Sequence, residues 1–141
     1  MRLVLDTNIV VSAFIKSDGK PSQIVKMILG RKAELYYNEV IISEYESVMS
    51  RSKFADKIDS NMVHRFTGLL KSIGVLFMPD TSSIELPDES DRIFYDTAKE
   101  SGSVLISGNI KHYPKEPFIV QPADFLERFA SGGTHRLRIY P

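Results

Sequence analysis

The chain has 141 residues, 43% of them apolar and 26% charged, which is ordinary globular composition and enough for one compact domain with a full core. Cysteine is absent, which excludes disulfides and thiolate metal sites and leaves oxygen or imidazole ligands, so that hard cations such as magnesium or manganese are favoured for any metal. Lys and Arg balance Asp and Glu at 18 each, which excludes whole-molecule attraction to nucleic acid or acidic membranes, and without a leader or a long apolar run the reading is a soluble cytoplasmic protein.

Residues 2–5 read as a first strand, and its apolar run Leu3-Val4-Leu5 stops at Asp6-Thr7-Asn8. In an open α/β sheet the ligand crevice lies outside the carboxyl ends of the strands, so Asp6 is the first site candidate. Asp18-Gly19 and Pro21 introduce the first long helix, on which Ile24, Val25, Ile28 and Leu29 repeat at helical spacing. A second strand follows at residues 34–37, and Asn38 is placed to cap the next helix, which carries Ile41, Tyr45, Val48 and Met49. Met62, Val63, Phe66, Leu69, Leu70 and Ile73 mark another helix, ended by Gly74, with a strand at 75–78 closed by Pro79. A further helix begins near residues 88–90 and carries Phe94, Thr97 and Ala98. Strands are expected at 104–107 and 118–120. Strand and helix alternation of this kind predicts an α/β fold with a mostly parallel sheet covered on both faces. Ser131-Gly132-Gly133 separates a tail from the last helix, so residues 1–130 read as one domain and 131–141 as a flexible or partner-binding tail. Within it Arg136, Leu137, Arg138 and Ile139 alternate as a strand would.

Two further acids share the logic of Asp6. Glu44 lies on the same helical stripe as Ile41 and Val48, so a carboxylate interrupts an apolar face, and Asp91 precedes Phe94, Tyr95 and Ala98 on another. Both fall near the starts of helices that follow strands, which directs them to the edge where Asp6 sits. Adjacent anions raise one another's pKa unless a cation relieves them, and an oxygen-ligated divalent ion is the simplest relief. Phosphodiester hydrolysis is the chemistry such sites serve. Leu105-Ile106 run into Ser107-Gly108-Asn109 at the same edge, where Ser107 and Asn109 are placed to orient water or ligand and His112 to contact phosphate. Asp88 and Glu89 read as capping acids, and Asp96 and Glu100 as solvated helix charges. Basic candidates for phosphate contact are Lys16 with Lys20, Arg31 with Lys32, Arg51 with Lys53, Lys111 with Lys115, and Arg136 with Arg138. A phosphohydrolase using Asp6 as nucleophile is the rival chemistry. Its second aspartate, two residues on, is missing because that position is Asn8.

Leu5-Asp6-Thr7-Asn8, Glu44 within Ser43-Glu44-Tyr45, Asp91 seven residues before Ala98, and Ser107-Gly108-Asn109 together resemble the PIN-domain family over nearly the whole chain. More narrowly, the chain is similar to the single-domain, VapC-like toxins of type II toxin-antitoxin systems. The resemblance implies a three-layer αβα Rossmann-like sandwich with a five-stranded parallel sheet and a magnesium- or manganese-dependent ribonuclease. It implies that Asp6, Glu44 and Asp91 hold the metal and the attacking water, while Thr7 and Asn8 order the exit of the first strand. It also implies a homodimer, an RNA substrate, a protein antitoxin as partner and no membrane association. Asn109 stands where many members carry a fourth acid, which puts full activity in question and leaves a weakened RNA- or antitoxin-binding module as the alternative.

Overall fold

The computed structural model describes residues 1–132. Five parallel strands, β1 (Arg2–Leu5), β2 (Glu34–Tyr37), β3 (Val75–Leu76), β4 (Val104–Ile106) and β5 (Ile119–Val120), form one sheet in the order β3-β2-β1-β4-β5. Among the described residues six α-helices accompany them: α1 (Thr7–Ile15), α2 (Lys20–Leu29), α3 (Glu39–Met49), α4 (Ser60–Ile73), α5 (Arg92–Ser101) and α6 (Pro122–Gly132). Leu3, Val4 and Leu5 of β1 are all 0% exposed, as a central strand covered on both faces requires.

The covering layers follow from the connections. Right-handed crossovers that step from β1 to β2 and from β3 back to β4 run in opposite directions, so their helices lie on opposite faces. Helix α5 packs on β1, β2 and β4, while α1 packs on α2, and α2 on α6. Strand order reverses beside β1, which neighbours both β2 and β4, and that reversal opens a crevice at the carboxyl ends of β1 and β4. The sheet therefore puts Asp6 and Ser107 at its topological switch point. Among the described residues no helix is long and apolar enough to cross a membrane.

Several elements depart from the sequence expectations. Residues 7–15, to which the sequence reading assigns no element, form α1 capped by Asp6, although β-branched Ile9, Val10 and Val11 favour strands. On α4 the buried stripe is Val63, Thr67 and Leu70, whereas Met62 and Leu69 are 50% and 45% exposed. Strand β3 is shorter than expected, because after Leu76 only the Phe77 amide continues the pairing, donating to the Tyr37 carbonyl at 2.8 Å. Asp96 is not a solvated charge: it is 4% exposed, and Oδ2 accepts the Ser82 amide at 3.0 Å. Helix α6 continues to Gly132, and the strand-like tail expected at 134–141 lies outside the described residues. Gly74 ends α4 under steric necessity, since a Cβ there would stand 2.8 Å from both the Leu70 carbonyl oxygen and the Tyr37 ring.

Asn38 links four of these segments. Fully buried at 1% exposure, it caps α3 by accepting the Ile41 amide at 3.0 Å, while its Nδ2 donates to the Phe77 carbonyl at 3.1 Å and to Thr97 Oγ1 at 3.0 Å. Residues 77–88 have no regular structure and are tied down largely by Arg92. Its guanidinium donates to the Ser82 carbonyl at 2.9 Å, the Ile84 carbonyl at 2.6 Å and both Glu89 oxygens. Asn38→Ala removes a cap and leaves the Phe77 carbonyl unmatched, a combined loss of about 3 kcal/mol. In thermal melts followed by circular dichroism, the expected outcome is a midpoint lower by roughly 10 °C.

Candidate active site

Asp6 ends β1 in extended backbone and begins α1, so one residue is both strand terminus and helix cap. Asp6 is 5% exposed, and its carboxylate accepts three hydrogen bonds. Oδ1 accepts the Thr7 amide at 2.8 Å, and Oδ2 accepts Ser107 Oγ at 2.6 Å and the Tyr113 hydroxyl at 3.0 Å. Burial, followed by the negative charge of Asp6, raises the pKa of Tyr113 far above that of an ordinary phenol, so Tyr113 stays a donor. Tyr45 is likewise raised by burial and then by Asp6, and it donates to the Leu5 carbonyl at 2.6 Å. The exit of β1 is thus fixed by two buried phenols and one serine.

A cavity of about 430 Å³ opens over this edge, lined by Asp6, Glu44, Asp88 and Asp91 together with Asn109 and His112. Glu44 comes from the middle of α3 and not from near its start as the sequence suggests; Asn38 sets the start of the helix, and the spacing to Val48 turns both residues toward the cavity. Asp91 precedes α5 at the end of the 3-10 turn Glu89–Asp91, which Asp88 caps by accepting the Ser90 amide at 2.9 Å. The Asp91 carboxyl is pushed up to about 6, first by burial and then by the charges of Asp6 and Asp88, against the opposing pull of His112. Its Oδ2 is buried and makes no hydrogen bond, because His112 Nδ1 lies 3.7 Å away.

These residues fit a hard divalent ion in the chemistry of their donors: three carboxylates from three elements, the orphaned oxygen of Asp91, and the buried, partnerless Thr7 Oγ1 in the same lining. Among the described residues no three acids or histidines are drawn close enough to hold an ion by themselves, so water or substrate phosphate has to complete such a shell.

The structure brings Asp6, Glu44, Asp91, Thr7, Asn8 and Asn109 into one cavity lining, as the sequence predicts. Ser107 behaves differently. It is 0% exposed and touches no open space, so it acts through Asp6 while accepting the Asn109 amide at 2.9 Å. Asn8 Oδ1 accepts the Gly108 amide at 2.9 Å, which binds the two strand exits a second time. Tyr113 escaped sequence reasoning. It lies 107 positions from the carboxylate it serves, and an isolated tyrosine after His112 carries no periodic signal.

The comparisons agree with this architecture. A chain from the crystal structure of VapBC2 from Rickettsia felis bound to a DNA fragment from their promoter superposes with a TM-score of 0.57, covering 86% of this chain and 97% of that one at 16% identity. An uncharacterized protein of Methanocaldococcus jannaschii is 27% identical over 110 residues, which are 77% of this chain and 71% of that protein. The family model described as PIN domain matches residues 2–111, a span that contains Asp6, Glu44, Asp91 and Asn109. With most of its length under that model and the expected sheet in place, the chain belongs to the PIN-domain family.

Proposed function

We propose that this protein is a divalent-metal-dependent endoribonuclease, the toxin of a toxin-antitoxin pair. The observation that carries the reading is the convergence of Asp6, Glu44 and Asp91 on one cavity at the switch point of the sheet, with a carboxylate oxygen of Asp91 left unmatched. Asp6 and Asp91 would hold the metal, and Glu44 would hold it or orient the attacking water. Bound there, magnesium or manganese supplies neutralisation of charge on the phosphate and activation of water. Ser107 and Tyr113 keep the Asp6 carboxylate in a single orientation, so the reacting phosphate meets a preorganised acid. Glu44 directs water for in-line attack on phosphorus, leaving a 5′-phosphate and a 3′-hydroxyl. Asn109 contributes a neutral amide where many relatives have an acid, which lowers metal affinity and makes substrate phosphate a larger share of the shell.

A protein antitoxin as partner is supported by the likeness to the VapBC2 structure, and self-association into a homodimer belongs to the same reading. The second reading, a catalytically weakened RNA- or antitoxin-binding module, is favoured by Asn109. The deciding experiment incubates a panel of single-stranded RNAs with the purified protein and manganese, magnesium or chelator. Metal-dependent cutting that falls by about a hundredfold or more in Asp6→Asn, with the fold intact by circular dichroism, is the expected outcome. Equal inertness of wild type and variant would install the binding module instead.

Asp91 also gives the reading a signature in stability. Its folded pKa of about 6 lies above the ordinary value of 3.8, so between those pH values the unfolded chain gives up a proton that the folded chain retains. Stability of the metal-free protein is therefore lost as pH rises through this window. With chelator present, Asp91→Asn is expected to melt above wild type at pH 7.5 and to lose that advantage near pH 4, in melts run across the range. A variant that is never the more stable would sink this account of Asp91.

A further inference from the structure

The cavity that gathers the carboxylates also has a cationic part. Glu44, Val48 and Arg51 succeed one another at four and three positions, so α3 and the residues just after it line the cavity with an acid, an apolar side chain and a base in turn. Lys53 and Phe54 join the lining from the 3-10 turn Ser52–Phe54. That turn is pinned: Phe54 packs against the core, and its carbonyl accepts the amides of Lys57 at 2.9 Å and of buried Ile58 at 2.8 Å. Lys53 Nζ stands 5.0 Å from the Phe54 ring centroid, a cation–π contact that restrains its long stem.

Arg51 and Lys53 are exposed, and among the described residues neither joins an ion pair, although Asp6, Glu44, Asp88 and Asp91 line the same cavity. Cations kept beside acids without neutralising them are available to an anion that arrives from outside. Because the whole chain carries no net charge, attraction for a polyanion has to come from local groups such as these. A guanidinium offers a fork that matches phosphate oxygens, and an ammonium offers a mobile point charge beside it.

We infer that Arg51 and Lys53 form a phosphate-holding subsite that takes the phosphate next to the scissile one, so that the cavity engages two successive phosphates of an RNA strand. The inference rests on the nuclease reading for its choice of strand. A small diester with a single phosphate lacks the group this subsite holds, and its turnover is indifferent to these two residues.

The test measures binding and cutting separately. A fluorescently labelled single-stranded RNA is titrated with the full chain in chelator, by anisotropy, over a series of salt concentrations. Arg51→Gln and Lys53→Gln are each expected to weaken binding several-fold and to reduce the slope of log affinity against log salt by about 0.7, the value for one phosphate contact on a single strand. Lys32→Gln is the charge-matched control: the sequence offers Lys32 as a phosphate candidate, but it lies between α2 and β2 at the opposite edge of the sheet and outside the cavity lining, so it should change neither quantity. With manganese, Arg51→Gln should raise KM for RNA and leave hydrolysis of bis(4-nitrophenyl) phosphate untouched. Wild-type slopes in both variants, losses matched by Lys32→Gln, or no binding by wild type would overturn the subsite. Binding that depends on Arg51 and Lys53 in a protein that cuts neither substrate would uphold the subsite and overturn the nuclease reading.

Discussion

The carboxylate of Asp6 has to satisfy the structure before it can serve any chemistry. It sits where β1 stops and α1 begins, and burying a charge there is costly unless the carboxylate finds donors. The Thr7 amide, Ser107 and Tyr113 fill three of its four lone-pair directions, leaving one on Oδ1 for a ligand, and in doing so they join the ends of β1 and β4 across the switch point. Asn8 and the Gly108 amide repeat the link one residue further out. Position and function thus rest on the same bonds: what holds the two central strands in register also holds the acid in its one orientation.

Asp91 is built on the opposite principle. Its anchoring is indirect, through the Asp88 cap and through Arg92, which clasps residues 77–88 and Glu89, and its own Oδ2 is left without a hydrogen bond. One acid is held by three hydrogen bonds, and the other is strained electrostatically and open to a partner. Such an arrangement trades folding stability for binding capacity, and it localises the trade to a single carboxylate.

Much of this was legible in the sequence because parallel α/β architecture converts chain order into spatial placement. Apolar runs ending at Asp6 and at Ser107, Glu44 on the apolar stripe of its helix and Asp91 just ahead of its own direct all four to one edge. The cap at Asn38 was equally readable, since a side-chain oxygen ahead of an apolar-periodic run has a local signature. Helix α1 was not, because β-branched Ile9, Val10 and Val11 oppose the local preference that the Asp6 cap and the tertiary packing override. Nor were Tyr113, the Asn38 amide bonds to Phe77 and Thr97, or the burial of Asp96, each of which depends on partners distant along the chain. The stretch at residues 49–60 offered only the charge pair Arg51 and Lys53, and its value lies in the pinned turn that no pattern announces.

The span between Asp6 and its donors has a consequence for synthesis. Asp6 leaves the ribosome 101 residues ahead of Ser107 and 107 ahead of Tyr113. Until they emerge, β1 has no β4 beside it and its terminal carboxylate remains an ordinary solvated acid. A nascent chain of this protein therefore carries no assembled pocket while most of it is being made. The order of translation itself delays the appearance of the site until Ser107 and Tyr113 have been made.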